Sequence, residues 1–237
     1  LSANLLPGDE LLSPNGAPYD TLEEVIGIRP SKCSLMEYGV QYRQVDLLPD
    51  GTFDFDGIRA AIGPKTKLIT IQRSKGYATR PSFSVAQIGE LIAFCKQCRP
   101  DVLIVIVHLS TKEALLEVMH ARERGQKVYV ETCPHYLLLD DSVYDQEDYS
   151  ASARYICAPP MRKKEDQAVL WKALANGSIQ TVSTDHCSFT LKQKDAGRGD
   201  FTKIPGGLPG VETRGEVVYT VAINENKLSS AAFEMSS

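Results

Sequence analysis

Two residues with metal-binding and proton-transfer chemistry each follow a short apolar segment. His108 comes directly after the apolar run 102–107, and Asp185 comes just after the run 179–183. A neutral imidazole and a carboxylate are both zinc ligands, and a carboxylate beside a metal ion can act as a general base. The structural alternative is a hydrogen-bonded histidine at a strand end and an aspartate that caps a helix or turn. A catalytic zinc needs further protein ligands, and the spacing of these two residues does not supply them.

The segments around His108 and Asp185 alternate between strand and helix patterns. Helix starts are indicated by the capping-box pairs Ser84 with Gln87 and Ser110 with Glu113. This order predicts the α/β class, with a mainly parallel sheet flanked by helices. Because catalytic groups collect at the carboxyl ends of parallel strands, His108 and Asp185 are expected at one edge of a sheet. The runs that predict strands are residues 10–13, 40–45, 67–72, 102–107, 127–131 and 179–183.

Composition and charge exclude several classes of protein. The chain of 237 residues is 43% hydrophobic and 24% charged, which predicts a folded core and argues against disorder. Its net charge of -4 and scattered basic residues argue against nucleic-acid binding. The longest apolar run, 102–107, is too short to cross a bilayer, and no export signal is visible. The six cysteines lack the dense spacing of a disulfide scaffold, so we expect reduced thiols and a cytoplasmic location.

Five ordered sequence blocks in the second half resemble the dihydropyrimidinases and hydantoinases. The resemblance runs from residue 108 to about residue 220. It implies part of a β/α amidohydrolase barrel with two metal ions, usually zinc, that hydrolyses cyclic ureides. The blocks are residues 108–114 (HLSTKEA), 131–137 (ETCPHYL), 158–162 (APPMR), 183–189 (STDHCSF) and 199–205 (GDFTKIP).

This resemblance assigns expected roles to four residues. His108 matches a metal-ligand histidine, and Asp185 matches the aspartate that binds metal and handles the proton of the attacking water. Ala158 and Gly206 match places where the family holds the substrate ring, largely through backbone groups. Gly206 stands where the family commonly has Asn, which weakens the match at that loop.

The chain also departs from the hydantoinase pattern. The family's His-x-His pair, its metal-bridging carboxylated lysine and a further histidine all lie upstream of the matching region, and nothing in this chain replaces them. Of the remaining histidines, His186 adjoins Asp185 and is the nearest candidate for a further ligand. We therefore expect weak or absent zinc binding. Hydrolysis of a cyclic ureide by this chain alone should be absent or very weak.

The first half resembles a different family, the cystathionine lyase-like "aluminium resistance" proteins that use pyridoxal phosphate. The resemblance covers residue 4 to about residue 101. In such enzymes an aromatic side chain near the Tyr19 position stacks on the cofactor ring; the alternative is a tyrosine packed at a strand end. The matching blocks are residues 6–11 (LPGDEL), 18–27 (PYDTLEEVIG), 72–77 (QRSKGY) and 80–82 (RPS).

This half also lacks chemistry that its family needs. His108 stands where the lyases have the Asp that pairs with the pyridine nitrogen, and their Schiff-base lysine has no counterpart here. Without that amine and that partner the cofactor loses its tether and its electronic tuning. Pyridoxal phosphate binding is therefore not expected.

The sequence predicts a hybrid of two parts, residues 1–107 and residues 108–237. The first interpretation is a metal-dependent cyclic-amide hydrolase fragment, incomplete as this chain, which begins at Leu1 and is expected to be cut at both ends. The alternatives are a carbon–sulfur lyase-like fragment and a non-catalytic α/β protein, natural or designed. A cyclic ureide is the expected small-molecule partner, and the sequence is compatible with a homo-oligomer.

Overall fold

Two compact units make up the chain. The computed structural model describes residues 4–18, 20–72, 81–230 and 233. The first unit is Leu1–Ile104 and the second is Val105–Ser237. Among the described residues, none of the helices is long and apolar enough to span a bilayer.

A three-stranded parallel sheet forms the centre of the first unit. Strand β1 (Glu10–Ser13) lies between β2 (Gln41–Gln44) and β3 (Thr66–Ile69), and both pairings are parallel. The central strand β1 is buried at every position, whereas the edge strand β2 is largely exposed. The helices of this unit are α1 (Asp20–Ile26), α2 (Phe55–Ala61) and α3 (Val85–Cys98).

Apolar side chains cover both faces of this sheet. Successive residues of a strand point to opposite faces. Accordingly, Leu11 joins a core cluster with Ile26 and Leu68, while Leu12 joins another with Ile58 and Leu91. Burial of the central strand β1 on both faces explains its two adjacent leucines, Leu11 and Leu12.

The second unit also contains a three-stranded sheet, in the order β4 (Ile104–Ile106), β5 (Val128–Thr132), β6 (Thr181–Val182). The pairing of β5 with β6 is parallel. The mainly parallel α/β class predicted from the sequence is therefore confirmed. The helices of this unit are α4 (Lys112–Glu123), α5 (Pro134–Leu138), α6 (Tyr149–Ala153), α7 (Lys164–Ala175), α8 (Leu191–Asp195) and α9 (Arg214–Asn224), with short 3-10 helices at Asp141–Tyr144 and Phe201–Lys203.

The apolar run 102–107 is not the uniformly buried strand that its composition predicts. Val102 is 1% exposed and packs in the core of the first unit. Val105 and Val107 are 39% and 56% exposed. The reason is that β4 is an edge strand of only three residues, and β-branched composition does not distinguish an edge from a central strand.

Helix α3 begins as predicted, and helix α4 does not. Ser84 and Gln87 form both hydrogen bonds of a capping box. At α4 the N-cap is Thr111, whose hydroxyl accepts from the N–H of Ala114 at 3.1 Å, and the predicted cap Ser110 is buried. Two adjacent hydroxyl residues offer two registers for the cap, and burial of Ser110 selects the second.

Arg122 fixes the amino ends of β5 and β6. Its guanidinium donates to the carbonyl of Val128 at 2.8 and 3.0 Å, to the carbonyl of Ser178 at 2.8 Å and to Oε1 of Gln180 at 3.0 Å. These bonds tie the end of α4 to the segments that enter two strands. The carboxyl ends of β5 and β6 lead to Cys133 and Asp185, and the carboxyl end of β4 leads to His108.

Candidate metal and catalytic site

His108 and Asp185 lie next to each other at the carboxyl edge of the second sheet. Nε2 of His108 is 3.9 Å from Oδ1 of Asp185, and both side chains are partly exposed. Each residue has a left-handed backbone, with φ of 57° and 45° respectively. Such conformations are uncommon for residues other than glycine and cluster at functional sites. The juxtaposition expected from the strand ends is therefore present in the second unit.

Glu131 is a buried carboxylate at this edge of the sheet, and no motif of the sequence predicted its position. Its carboxylate accepts from the backbone N–H of His108 at 2.7 Å, from the thiol of Cys133 at 3.1 Å and from the hydroxyl of Ser183. The three donors come from the ends of β4, β5 and β6. Burying a carboxylate is costly unless hydrogen bonds compensate, so these donors are what hold Glu131 at this place. A charged residue closing an apolar strand was the one available signal.

Cys133 lies fully buried between Glu131 and His108. Its Sγ is 3.6 Å from Nδ1 of His108 and 3.7 Å from Oγ of Ser183. Burial, and next the negative charge of Glu131, raise the pKa of the Cys133 thiol far above its ordinary value. The thiol therefore keeps its proton near neutral pH and donates a hydrogen bond to the carboxylate of Glu131.

The side chains at this edge of the sheet are of types that bind a divalent cation, but they supply few ligand atoms. Zinc binds nitrogen and oxygen at about 2.0–2.2 Å, so two ligand atoms of one ion lie up to roughly 4.2 Å apart. The 3.9 Å between His108 and Asp185 falls within that reach. His108, Glu131 and Cys133 also place one donor atom each within 4.8 Å of one another. A neutral imidazole, two carboxylates and a thiol are all zinc-ligand types.

His186 does not offer its Nδ1 to such an ion. That nitrogen accepts hydrogen bonds from the backbone N–H groups of Gly210 at 3.1 Å and Val211 at 3.2 Å. The ring therefore closes the loop after residue 206 instead. These bonds engage Nδ1 only, so a ligand role of His186 would have to use Nε2, and that role stays a prediction.

Ala158 and Gly206 are brought together, as a pair of substrate-holding segments would require. A Cβ built on Gly206 would lie 3.9 to 4.0 Å from backbone atoms of Cys157 and Ala158. The next residue, Gly207, donates its N–H to the carbonyl of Ile156 at 3.0 Å. The two loops thus run side by side.

Lys194 joins the same two loops through a buried ammonium group. Its Nζ donates to the carbonyl of Ile156 at 2.7 Å and to the carbonyl of Gly207 at 2.9 Å. Burial lowers the pKa of Lys194. No sequence pattern predicts this role, because Lys194 is one of several basic residues in a short polar helix.

The predicted cofactor residue of the first unit, Tyr19, lies outside the described residues. Residues 73–80, which carry most of one lyase-like block, lie outside them as well. The stacking role of Tyr19 therefore stays a prediction.

Comparisons with known proteins find both resemblances that the sequence indicates. A family model described as methionine gamma-lyase matches residues 1–113. The D-hydantoinase of Ralstonia pickettii is 47% identical over 131 residues, which are 55% of this chain and 28% of that protein. The D-hydantoinase of Geobacillus stearothermophilus is 41% identical over the same shares of the two chains. The hybrid resemblance is confirmed, and the matched region spans little more than a quarter of these curated relatives.

Solved structures extend the hydantoinase likeness. A D-hydantoinase structure from Bacillus sp. AR9 has a TM-score of 0.69 and 31% identity, covering 99% of this chain and 55% of that one. A dihydropyrimidinase structure from Brevibacillus agri has a TM-score of 0.66 and 25% identity, with 96% and 61% covered. This chain therefore spans between half and two thirds of the length of these two structures.

The buried side chain of His135, near the candidate site, has a lowered pKa whose effect on stability can be measured. Burial lowers the pKa of His135 to about 4, and the charge of His108 adds to the effect while Asp185 opposes it. The Nε2 atom of His135 is buried without a hydrogen-bond partner. At this histidine the unfolded chain binds a proton more tightly than the folded chain does. The free energy of unfolding is therefore highest above the ordinary histidine pKa, and it decreases as the pH falls toward about 4.

We expect the substitution His135→Gln to remove part of the acid sensitivity of the second unit. Lowering the pH from about 7 to about 4 should cost the wild type roughly 3 kcal/mol more unfolding free energy than it costs the variant. Urea unfolding followed by the fluorescence of Trp171, which is buried in this unit, measures the difference. The control His120→Gln, on the partly exposed face of α4, should keep the wild-type dependence. If the free energy of unfolding changed equally with pH in the wild type and in His135→Gln, the lowered pKa of His135 would be contradicted.

Proposed function

We propose that the second unit carries part of a metal-dependent hydrolase site for cyclic amides, in which His108 and Asp185 bind the same divalent cation. The observation that carries this proposal is the 3.9 Å separation of His108 Nε2 and Asp185 Oδ1 at the carboxyl edge of the sheet. The identity with D-hydantoinases supports the reaction class. Zinc is the metal we propose, since the donors are nitrogen and oxygen atoms.

Asp185 is the proposed general base. A bound cation would polarise the substrate carbonyl and make water a stronger nucleophile. The carboxylate of Asp185 takes the proton of the water that attacks the ring carbonyl carbon. It then returns that proton to the ring nitrogen as the C–N bond breaks. Its partial exposure leaves room for water and substrate on one side of the side chain.

The loops that carry Ala158 and Gly206 are the proposed substrate-binding segments. A cyclic ureide presents alternating carbonyl and N–H groups, which backbone N–H and C=O groups can recognise. Gly206 adds no side chain between its own loop and the loop of Ala158. Lys194 fixes the spacing of the two loops through its bonds to Ile156 and Gly207.

The same geometry argues for a weak site. In the described part of the second unit, the ligand atoms that cluster with those of His108 belong to Glu131 and Cys133. These two side chains are hydrogen-bonded to each other, the thiol of Cys133 donating to Glu131. An ion held by two protein ligands lacks the further ligands that a catalytic zinc site has. We therefore propose that this chain alone binds zinc weakly and hydrolyses cyclic ureides at an undetectable or very low rate.

We expect Asp185→Asn to abolish the weak zinc binding of the chain, because the amide removes one of two ligands and its charge. Zinc titration by calorimetry, together with a hydantoin or dihydrouracil assay, measures the effect. The exposed carboxylate variant Asp145→Asn makes the same charge change and should bind zinc like the wild type. Tight zinc binding with activity that Asp185→Asn abolishes would contradict the weak-site proposal and would indicate ligands supplied by a second copy of the chain. Zinc binding that Asp185→Asn leaves unchanged would contradict the ligand role.

A lyase-like function is the second candidate, and the family-model match over residues 1–113 favours it. The chain has no counterpart of the family's Schiff-base lysine, and His108 stands where the pyridine-nitrogen partner is expected. We therefore propose that the first unit contributes a fold and no pyridoxal phosphate chemistry.

Adding pyridoxal phosphate to the purified chain should give no visible absorption band of a lysine-bound cofactor. The band would require a lysine amine held at the cofactor aldehyde, together with tuning of the ring. Absorption spectra before and after gel filtration test this. A retained band that disappears on substitution of a single lysine would overturn the ranking of the two functions.

A further inference from the structure

We propose that Glu131 is the positioning residue of His108, and that it acts through the backbone amide of His108 and through the thiol of Cys133. In this arrangement His108 carries its proton on Nδ1 and directs the Nε2 lone pair toward Asp185. The arrangement of protons is a property of the chain itself. Only its consequence for metal binding rests on the proposed function.

The first connection runs through the backbone. The N–H of His108 donates to Oε2 of Glu131 at 2.7 Å, a charge-assisted bond of the stronger kind. This bond forms while His108 has a φ of 57°, a conformation that costs free energy and needs support from its surroundings. Glu131 therefore compensates the unusual turn that aims the imidazole along the sheet edge.

The second connection runs through the sulfur. A thiol has one hydrogen, and the Cys133 thiol uses it in a hydrogen bond to Oε1 of Glu131, with 3.1 Å between Sγ and Oε1. Its sulfur then has only lone pairs to offer to Nδ1 of His108 at 3.6 Å. A contact between Nδ1 and that sulfur is favourable when Nδ1 is the donor. The chain of donors is thus His108 Nδ1–H to Cys133, and Cys133 S–H to Glu131.

The hydroxyl of Ser183 reinforces this direction of donation. It donates to Oε1 of Glu131, and its Oγ is 3.7 Å from the Cys133 sulfur. Oε2 of Glu131 also lies 3.7 Å from Nδ1 of His108, so the nearby negative charge favours the nitrogen that bears hydrogen. The unprotonated Nε2 then faces Asp185 Oδ1 across 3.9 Å, where a cation fits.

A competing arrangement uses the same atoms differently. His108, Glu131 and Cys133 have donor atoms close enough to bind one cation among themselves. That arrangement requires a thiolate and an unprotonated Nδ1, the reverse of the donor chain above. The hydrogen bond from the thiol to Glu131 argues against it. The two arrangements therefore differ in which imidazole nitrogen carries the proton.

Long-range nitrogen–proton correlation NMR of the histidine rings in the metal-free full chain distinguishes these arrangements. His108, assigned by the loss of its signals in His108→Gln, should be the Nδ1–H tautomer. His186 provides an internal reference, because its Nδ1 accepts two backbone hydrogen bonds. Its ring must therefore be the Nε2–H tautomer, in the wild type and in every variant that keeps the fold.

Two substitutions break the donor chain at different links. In Glu131→Gln, one amide oxygen cannot accept from the His108 amide and from the thiol and hydroxyl together. In Cys133→Ala, the link between Glu131 and Nδ1 is removed. Each change should convert His108 from a single tautomer to a mixture, while Cys133→Ser, whose hydroxyl can both accept and donate, should keep Nδ1–H. Wild-type His108 as the Nε2–H tautomer, or an unchanged ring in both disrupted variants, would overturn the proposal.

Zinc titration of the same proteins tests the functional consequence separately. Loss of a group that orients a metal-bound histidine typically lowers metal affinity by about 10- to 100-fold. We expect a decrease of this size in Glu131→Gln and in Cys133→Ala, and wild-type affinity in Cys133→Ser. A wild-type chain that binds no zinc would contradict the proposed function, while the tautomer result would still decide the role of Glu131. Sulfur-to-metal charge-transfer absorption with cobalt would show that Cys133 is a ligand and would overturn the positioning role.

Discussion

A buried carboxylate needs hydrogen-bond donors, and Glu131 obtains its donors from the ends of all three strands of the second sheet. The amide of His108, the thiol of Cys133 and the hydroxyl of Ser183 converge on its two oxygens. Leaving such a group buried with a missing partner costs about 1–3 kcal/mol or more. The need to pair this charge therefore fixes the three strand ends relative to one another. His108 and Asp185 owe their proximity to that arrangement.

The rest of the second unit supports this edge from two directions. At the opposite ends of the strands, Arg122 binds the carbonyls of Val128 and Ser178, which sets where β5 and β6 begin. Beyond the edge, the ammonium of Lys194 holds the loops proposed to bind substrate. Each is a charged group with two or more backbone acceptors. The unit thus uses buried or half-buried charges, and not only apolar packing, to place its loops.

Sequence patterns predicted the α/β class, most strand positions and the proximity of His108 to Asp185, because carboxyl ends of parallel strands share an edge. They did not predict Glu131 or Lys194, since both of these buried charges pair with groups that include partners more than ten residues away in the chain. The exposure of Val105 and Val107 was missed for a related reason. A short edge strand and a central strand have the same composition, and only the sheet order distinguishes them. The hydrogen bonds that Gly210 and Val211 donate to Nδ1 of His186 were not predicted either, because sequence adjacency does not determine the orientation of a ring.

The central claim is that His108 and Asp185 share one cation through Nε2 and a carboxylate oxygen, with Glu131 behind the imidazole. A crystal of the full chain grown with zinc, with diffraction data collected on both sides of the zinc absorption edge, tests it directly. The account predicts one partly occupied anomalous peak between His108 Nε2 and Asp185 Oδ1, about 2.0–2.2 Å from each. A peak bound to Cys133 Sγ and His108 Nδ1, or no peak near either residue at saturating zinc, would contradict it.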